Sequence, residues 1–301
     1  MLQATQPPSV ALILSSALGD SLLMMTVARN LQLNGVPVTV FGQQINTMRD
    51  WFPGIDIAPQ LRPGACAAKL AAFDTVIQLH ANRPFASLET MHPKVIVLAH
   101  LCSANSAESM VERLARFCRD ELSLAQAGKG NGITPLPGLE HRQRLHRVAI
   151  HPMASTTDKC WLPSRFIELA IKLRGSGFDP QFVVAPEERA HWQHIEHLGL
   201  TLTDLGPLDR VAAWLYECGW FIGNDSGIGH LASSLDIPTL SLFMRRGIAR
   251  TWRPDWGVGQ VLIGSGYLPT GRLKERYWKY MLSVNKVSDA FDRLRALAPN
   301  A

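Results

Sequence analysis

The feature that most constrains the fold is an alternation of short apolar runs with amphipathic segments along the chain. Residues 10–14 (VALIL) form an apolar run, Gly19-Asp20 makes a turn, and residues 21–35 have the pattern of a helix that ends at a glycine. A second apolar run follows at 37–42, and further strands are predicted at 75–79 and 95–98. Because a β-α-β connection joins parallel strands, this order predicts an α/β domain built on a parallel sheet.

The same alternation begins again in the second half of the chain. Residues 128–147 are rich in glycine, proline and charge, which is typical of a linker between domains. After this linker we predict strands at 148–152, 181–186, 220–225 and 238–243, and helices at 163–173, 187–198, 208–218, 229–235 and 287–297. The pattern predicts two Rossmann-like domains that face each other across a cleft.

Composition narrows the class of protein. The chain is 47% hydrophobic and 18% charged, and it has no run of about 18 or more apolar residues, so a transmembrane helix is not expected. Its start lacks a basic segment before the first apolar run, and its five cysteines are widely spaced without a CxxC pair. We therefore expect a cytoplasmic protein with reduced thiols. The net charge of +5 comes without a polybasic arm, which argues against nucleic acid and fits a phosphate or an acidic membrane surface.

Ligands of open α/β sheets bind where strands end, so the turn at 224–230 is the first candidate site. Gly227 allows close approach of another group, Ser226 supplies a hydroxyl, and the helix that follows offers free N–H groups to an anion. His230 can donate to a phosphate, and Asp225 can orient the turn by accepting backbone N–H groups. The alternative is a plain capped turn with His230 packed at the surface.

Residues 151–166 (HPMASTTDKCWLPSRF) form a second candidate phosphate site. The hydroxyls of Ser155 and Thr156 and the ammonium of Lys159 precede the start of a helix. An isolated lysine in a loop is also commonly solvated, and this alternative stays open.

Pro186, Glu187 and Glu188 follow the strand at 181–186. A carboxylate at a strand end can bind the hydroxyls of a ribose, as in dinucleotide-binding folds. The alternative is a pair of acidic residues that the helix dipole favours at a helix start.

Asp20 is the candidate general base. It follows the first strand, and a carboxylate there can take a proton from a hydroxyl. The turn has one glycine and no GK[ST] sequence, so it is neither a dinucleotide fingerprint nor a phosphate-binding P-loop. The alternative is that Asp20 caps the helix.

Metal-binding patterns are not found in the sequence. There is no HExxH, no DxD and no Cys-Cys-His-His set. His191, His194 and His197 recur every three residues, which does not bring all three to one helix face, so we predict a surface helix there.

Taken together, these segments resemble glycosyltransferase family 9, the bacterial ADP-heptose:lipopolysaccharide heptosyltransferases. The resemblance spans nearly the whole chain. It rests on the S-x-x-G-D turn of Ser16, Gly19 and Asp20, on 151–166, 183–188 and NDSGIGHLASSLDIPTLSLF (224–243), and on RTWRPDWG (250–257) with a closing helix.

The resemblance implies a GT-B fold and a set of roles. The acceptor domain would be 1–145, the nucleotide-sugar domain 146–282, and 283–301 a helix that crosses back to pack on the first domain. The family is inverting and needs no metal or other cofactor. By position, Asp20 would be the base and Ser16 and Gly19 would contact the acceptor. The diphosphate would bind Ser155, Thr156, Lys159, Asp225, Ser226, Gly227 and His230, and the ribose and base would bind Pro186, Glu187 and Glu188.

The implied reaction transfers heptose from ADP-heptose to a lipopolysaccharide inner-core acceptor. Two departures from the family pattern lie near the donor: Met153 replaces a usual glycine, and FMRRGIAR (243–250) replaces a Phe-Gly-Pro-Thr type of sequence. These departures keep open another nucleotide sugar, an acceptor such as capsule, O-antigen or protein, or a non-catalytic nucleotide-sugar-binding protein. An NAD-linked enzyme is disfavoured because the glycine fingerprint is missing.

A basic and aromatic segment near the C-terminus is the candidate contact with a lipid-linked acceptor or with the inner membrane. The alternative is a solvated face with buried aromatic rings. The segment contains Arg245, Arg246, Arg250, Arg253, Arg272, Lys274, Arg276 and Lys279, interleaved with Trp252, Trp256, Tyr267, Tyr277, Trp278 and Tyr280.

Overall fold

Two parallel β-sheets form the framework of the protein. The computed structural model describes residues 8–103, 106–264 and 277–298. The described strands are β1 (Val10–Ile13), β2 (Val38–Phe41), β3 (Asp56–Ala58), β4 (Thr75–Gln78), β5 (Val95–Val97), β6 (Arg144–His151), β7 (Asp179–Val183), β8 (Thr201–Thr203), β9 (Cys218–Asn224), β10 (Thr239–Phe243) and β11 (Gly259–Ile263). The first sheet has the order β3-β2-β1-β4-β5 and the second the order β11-β10-β9-β6-β7-β8. Both orders confirm the predicted α/β class.

Helices connect the strands, as parallel pairing requires. The described α-helices are α1 (Leu18–Leu33), α2 (Gln43–Asn46), α3 (Cys66–Leu70), α4 (Met110–Asp120), α5 (Pro163–Gly175), α6 (Arg189–Trp192), α7 (Leu208–Tyr216), α8 (Gly227–Ser234), α9 (Arg246–Trp252) and α10 (Val284–Leu297). Short 3-10 segments cover Arg49–Trp51, Pro63–Ala65, Leu88–Thr90, Leu98–Cys102, Thr157–Lys159, Pro186–Glu188 and Gln193–Leu198.

The chain divides into two compact units, one for each sheet. The first contains Met1–Ser103 and Met110–Thr134, and the second contains Ala104–Ser109 and Pro135–Ala301. The division after Thr134 falls inside the linker of 128–147 that composition predicted, and before the boundary at 145 that the resemblance implied. Main-chain hydrogen bonds explain the difference: the N–H of Arg142 donates to the carbonyl of Tyr216 at 2.9 Å, which fixes the end of the predicted linker to the second unit.

The first unit buries its central strands completely. Every residue of β1 is at most 6% exposed, which explains why this strand is a continuous apolar run rather than an alternating one. Its register fixes the neighbours: Ile13 lies opposite Phe41 of β2 on one side and opposite Gln78 of β4 on the other. The chain segments that follow β1 and β4 therefore emerge side by side.

The second unit includes the C-terminal helix in its core. Phe291 of α10 packs edge-to-face on Phe178 and Trp220, with ring centroids 5.2 Å and 5.5 Å apart, and Val287 and Leu294 lie in the same buried cluster. These contacts place α10 in the core of the second unit, and its predicted packing on the N-terminal domain stays a prediction. The apolar stripe of α10 is used by the second unit itself.

Candidate active site

Asp20 lies in the first turn of α1, directly after β1. Its Oδ2 is 2.8 Å from Nε2 of His80, and it accepts a hydrogen bond from Oγ of Ser15 at 3.1 Å. His80 follows β4, the strand beside β1, and both side chains are 16% exposed. Residue Ala17, not Asp20, is the N-cap of α1, and it provides no side-chain cap. The capping alternative therefore does not describe what this carboxylate does.

The two groups change each other's acidity. Burial acts to raise the pKa of Asp20, but the hydrogen bond and charge of His80, with smaller contributions from Ser15 and Arg83, bring that pKa below its usual value. The hydrogen bond to Asp20, followed by one with the Cys102 side chain, raises the pKa of His80 to about 9. At neutral pH the pair is therefore an aspartate next to an imidazolium.

The other two residues of the S-x-x-G-D turn differ in exposure. Ser16 is exposed and Gly19 is half-buried. Sequence reasoning singled out these two and missed Ser15 and His80, although the parallel register places the residues after β1 and β4 next to each other. That adjacency was the signal that could have found His80.

In the second unit, a lysine and a carboxylate meet at the carboxyl edge of the sheet. Nζ of Lys159, in the loop after β6, is 2.9 Å from Oδ2 of Asp225, which follows β9. The lysine side chain is 31% exposed and the aspartate 11%. The carboxylate thus pairs with an ammonium group, whereas the sequence suggested that it would accept backbone N–H groups. The Asp225 N–H itself donates to Leu242 of β10 at 3.1 Å.

Next to this ion pair, α8 begins. Ser226 is its N-cap, and the serine side chain accepts a hydrogen bond from the N–H of Gly229 at 3.3 Å. The first helical residue is Gly227. A helix N-terminus carries a partial positive charge and N–H groups without intrahelical partners, so this corner of the sheet favours an anion.

Asn224 joins the two turns of the second unit and was not among the predicted residues. This fully buried side chain donates from Nδ2 to the carbonyl of Pro152 at 2.7 Å and accepts at Oδ1 from the N–H of Trp161 at 3.0 Å. Its neighbour Gly223 has no room for a side chain, since a Cβ there would lie 2.9 Å from the carbonyl oxygen of His151. The two Asn224 hydrogen bonds therefore tie the loop that carries Lys159 to the start of α8.

The predicted hydroxyls and histidine near this ion pair differ in exposure. Ser155 and Thr156 are exposed and precede the 3-10 turn that carries Lys159. His230 is 4% exposed, and its ring packs edge-to-face on Trp256 with centroids 5.8 Å apart. The buried position of His230 favours the packing alternative for this residue.

The acidic pair after β7 forms a 3-10 turn. Pro186 and Glu187 are exposed, whereas Glu188 is half-buried and accepts the N–H of Ala185 at Oε2, 3.0 Å away. The Glu188 carboxylate is therefore already hydrogen-bonded within its own turn. Glu187 is the more accessible of the pair.

Met153, which departs from the family pattern, packs against Trp192. It is half-buried, and its sulfur accepts a hydrogen bond from Nε1 of Trp192 at 3.3 Å. Beside it, burial lowers the pKa of His151 to about 4, so this imidazole is neutral at physiological pH, and its Nδ1 is 2.8 Å from the carbonyl oxygen of Val183.

Three solved structures share this fold. A family 9 glycosyl transferase from Veillonella parvula DSM 2008 is 16% identical, with a TM-score of 0.72 over 96% of this chain and 97% of that chain. Heptosyltransferase WaaC of E. coli, solved with ADP, is 16% identical with a TM-score of 0.70 over 95% and 99%. The iron-containing dodecameric glycosyltransferase TibC of enterotoxigenic E. coli H10407 is 13% identical with a TM-score of 0.62 over 98% and 78%. At these identities the similarity shows the fold alone, which is GT-B.

The sequence itself decides the family. A family model described as glycosyltransferase family 9 (heptosyltransferase) matches residues 99–270, more than half of the chain. The chain belongs to glycosyltransferase family 9. It is therefore a glycosyltransferase of the heptosyltransferase type. No curated protein matches it in sequence.

The basic and aromatic segment of this family 9 glycosyltransferase divides into buried and exposed residues. Trp278 is fully buried and donates from Nε1 to the carbonyl of Asp158 at 2.8 Å, whereas Tyr277 and Tyr280 are 41% and 57% exposed. Tyr267, Arg272, Lys274 and Arg276 lie outside the described residues.

Arg165 and Trp161 also hold the chain that leads to α10. The Arg165 guanidinium donates to the carbonyls of Lys279, Tyr280 and Leu282. Nε1 of Trp161 donates to the same Leu282 carbonyl at 3.0 Å. Two residues that follow the lysine turn are therefore tied to the segment that leads into α10.

The family 9 enzyme has five free thiols. Within the ranges 8–103, 106–264 and 277–298, no group of three or more His, Cys, Asp or Glu residues is placed to hold a metal ion, and no helix has the length and hydrophobicity to span a bilayer. His191, His194 and His197 are exposed, but the helix predicted there is divided between α6 and the 3-10 segment Gln193–Leu198.

Proposed function

We propose that this glycosyltransferase transfers heptose from ADP-heptose to a lipopolysaccharide inner-core acceptor, with inversion at the sugar and without a metal. The observation that carries the proposal is the ion pair of Lys159 and Asp225 next to the N-terminus of α8. This corner offers an ammonium group and helix N–H groups together, and it matches what a nucleotide diphosphate needs.

The donor proposal assigns a role to each part of this corner. The Lys159 ammonium and the N–H groups at the start of α8, with the hydroxyls of Ser155 and Thr156, bind the two phosphates. Asp225 is more buried than Lys159 and holds the lysine in place. Gly227 allows the phosphate to approach the backbone. Glu187 binds the ribose hydroxyls, because Glu188 already accepts the N–H of Ala185.

The chemistry is a single displacement. Asp20 takes the proton of the acceptor hydroxyl as that oxygen attacks the anomeric carbon from the face opposite the leaving group. The bond between the anomeric carbon and the diphosphate oxygen breaks, and the nucleoside diphosphate leaves with the electron pair. Its growing negative charge is stabilised by Lys159 and by the N-terminus of α8. These positive groups do the work that a divalent ion does in metal-dependent transferases.

The acceptor is proposed to be lipid-linked, and the protein to act at the cytoplasmic face of the inner membrane. The support is the pair of exposed rings Tyr277 and Tyr280, with Lys279 between them in the chain, since amphipathic aromatic rings and lysines favour an anionic lipid surface. Ser16 is an exposed residue of the turn before Asp20 and is proposed to contact the acceptor.

A second candidate function keeps the same chemistry with another donor or acceptor. It is favoured by α9, which begins at Arg246 only three residues after the end of β10 at Phe243 and follows the strand that neighbours β9. The exposed Arg246 and Arg250 side chains of this helix add positive charge that another nucleotide sugar, or a capsule, O-antigen or protein acceptor, can use.

One experiment separates these functions. The purified protein is mixed with ADP-heptose, GDP- and UDP-sugars in the presence of EDTA, and thermal shift and transfer to a heptose-deficient lipopolysaccharide are measured. We expect the largest stabilisation with ADP-heptose and product formation with EDTA present. Preference for GDP or UDP donors would favour the second function. Binding of a nucleotide sugar without transfer to any acceptor would indicate a non-catalytic binding protein, and loss of turnover in EDTA would contradict metal independence.

A further inference from the structure

Asp20 is held through one of its two carboxylate oxygens. Both side-chain hydrogen bonds to it, from His80 at 2.8 Å and from Ser15 at 3.1 Å, end on Oδ2. In the part of the chain that the structure describes, no hydrogen bond ends on Oδ1. An ionised carboxylate can accept about four hydrogen bonds, so an anchored Oδ2 leaves Oδ1 able to accept from a hydroxyl.

His80 is itself fixed by its surroundings. The buried side chain of Gln78 donates from Nε2 to the carbonyl of His80 at 2.6 Å and to that of Phe85 at 2.8 Å. A short antiparallel bridge joins His80 to Arg83, and the Cys102 side chain forms a second hydrogen bond with the His80 side chain. Both the main chain and the ring of this histidine are therefore held in place.

We propose that His80 is the positioning residue of Asp20: its ring fixes Oδ2, orients the carboxylate and favours its ionised form. The inference rests on the proposed role of Asp20 as general base and adds the residue through which that base is tuned. His80 is not proposed to touch the acceptor. It acts on the reaction through the aspartate.

The charged and titratable groups around the pair come from three places in the first unit. Arg83, in the loop after His80, also stabilises the Asp20 anion, and Cys102, at the end of the 3-10 segment Leu98–Cys102, acts on His80. From the turn before α1, the polar contact is Ser15. Removing the imidazolium therefore leaves one cation, Arg83, to favour ionised Asp20, and the pKa of Asp20 must rise.

The test compares His80→Gln and His80→Ala with wild type in the full-length enzyme. His100→Gln is the matched control, because His100 is an exposed histidine of the same unit that pairs with Glu121 at 3.6 Å. Rates are measured from about pH 3 to 10, and the Asp20 carboxyl carbon and the His80 ring are titrated by NMR over the same range. Circular dichroism confirms that each variant is folded.

We expect the acid limb of kcat to move upward by about one pH unit in both variants, with kcat at neutral pH about tenfold lower in His80→Ala. His80→Gln should recover part of that loss, because its amide can donate to Oδ2 but carries no charge. The KM for the donor should stay within about twofold, since the donor groups lie on other residues. The control should match wild type.

The NMR titrations decide the inference even without a known substrate. An Asp20 carboxyl that titrates at the same pH in wild type and both variants would overturn it, as would a wild-type His80 that titrates at the ordinary value. If Asp20→Ala is inactive while both His80 variants keep the wild-type pH profile, this inference fails and the proposed function stands. If Asp20→Ala is fully active, the proposed base fails, whatever the titrations give.

Discussion

The two units each place an oppositely charged pair at the carboxyl ends of neighbouring strands, but the pairs differ in which partner is accessible. In the first unit, Asp20 and His80 are equally shielded, at 16% exposure each. In the second unit, Lys159 is 31% exposed and Asp225 only 11%. The parallel sheet explains the common location, because side chains that follow adjacent strands meet at one edge.

The difference indicates how one arrangement can serve two kinds of chemistry. A base has to be partly desolvated and held, and the shielded Asp20 next to an imidazolium meets that need. A phosphate-binding cation has to reach its ligand, and the more exposed Lys159 can do so while the buried Asp225 keeps it in place. On this view the functional partner is the carboxylate in the first unit and the ammonium group in the second.

The largest effect should come from removing the proposed base. Asp20→Asn keeps the shape of the side chain and can still bond His80 or Ser15, but it cannot accept a proton. We expect kcat to fall by about 10²- to 10⁴-fold while donor affinity stays unchanged. Steady-state kinetics and calorimetric titration of the nucleoside diphosphate measure the two quantities. Asp50→Asn, a highly exposed carboxylate of the same unit, is the control and should have no effect. Full activity of Asp20→Asn would show that Asp20 is not the base, and the proposed contrast between the two pairs would then be wrong.

The next effect should come from the second unit. Lys159→Met removes the ammonium and keeps most of the side-chain volume. Since a charge-assisted hydrogen bond contributes about 1.5–3 kcal/mol, donor affinity should fall by roughly 10- to 150-fold. Lys172→Met is the matched control, because Lys172 is an exposed lysine of the same unit whose ammonium bonds Asn285. Equal affinity in the Lys159 variant and the control would show that the phosphates bind elsewhere.

The fold was predictable where burial dominates the sequence pattern. The apolar runs gave β1, β2, β4 and the central strands of the second sheet within a few residues. The strands that were missed are β3, β8 and β11, and each lies at the edge of its sheet. An edge strand is partly exposed and short, so its sequence lacks a continuous apolar run. The apolar stripe of α10 predicted a packed helix, but a stripe alone does not say which core the helix enters.

The candidate site was predictable where a residue lies in the loop or helix start that follows a strand, as for Asp20, Lys159 and Asp225. The sequence did not indicate His80 or Asn224, because their importance depends on a neighbour that is distant in the chain. His80 is 60 positions from its partner Asp20, and Asn224 is 63 and 72 positions from Trp161 and Pro152. Only the strand order brings these pairs together.

The ionisation of the first pair should make stability depend on pH. The pKa of His80 is raised from 6.5 to about 9, so the stabilisation it gives is complete below pH 6.5 and is lost as the pH rises through about 9. Urea unfolding between pH 6 and 9.5 should show a decrease on the order of 1–3 kcal/mol, with solvent screening taken into account. His80→Gln and Asp20→Asn should each remove this part of the pH dependence. A wild-type protein whose stability does not fall over this range would contradict the ion pair.

The smallest effect separates a positioning carboxylate from a binding one. Asp225→Asn alone leaves Lys159 without its charged partner, so the lysine samples more conformations and donor affinity should fall by only about three- to tenfold. In the Lys159→Met background the sign should reverse. In that background Asp225 is a largely buried carboxylate that has lost its Lys159 partner. Because it then lies next to an anionic diphosphate, it repels the ligand. The double variant should therefore bind the nucleoside diphosphate more tightly than Lys159→Met does. Calorimetric titration of wild type, the two single variants and the double variant measures the coupling between Lys159 and Asp225. Asp209→Asn, in the first turn of α7, is the control. If the two substitutions simply add, Asp225 does not act through Lys159, and the mirrored roles of the two pairs are wrong.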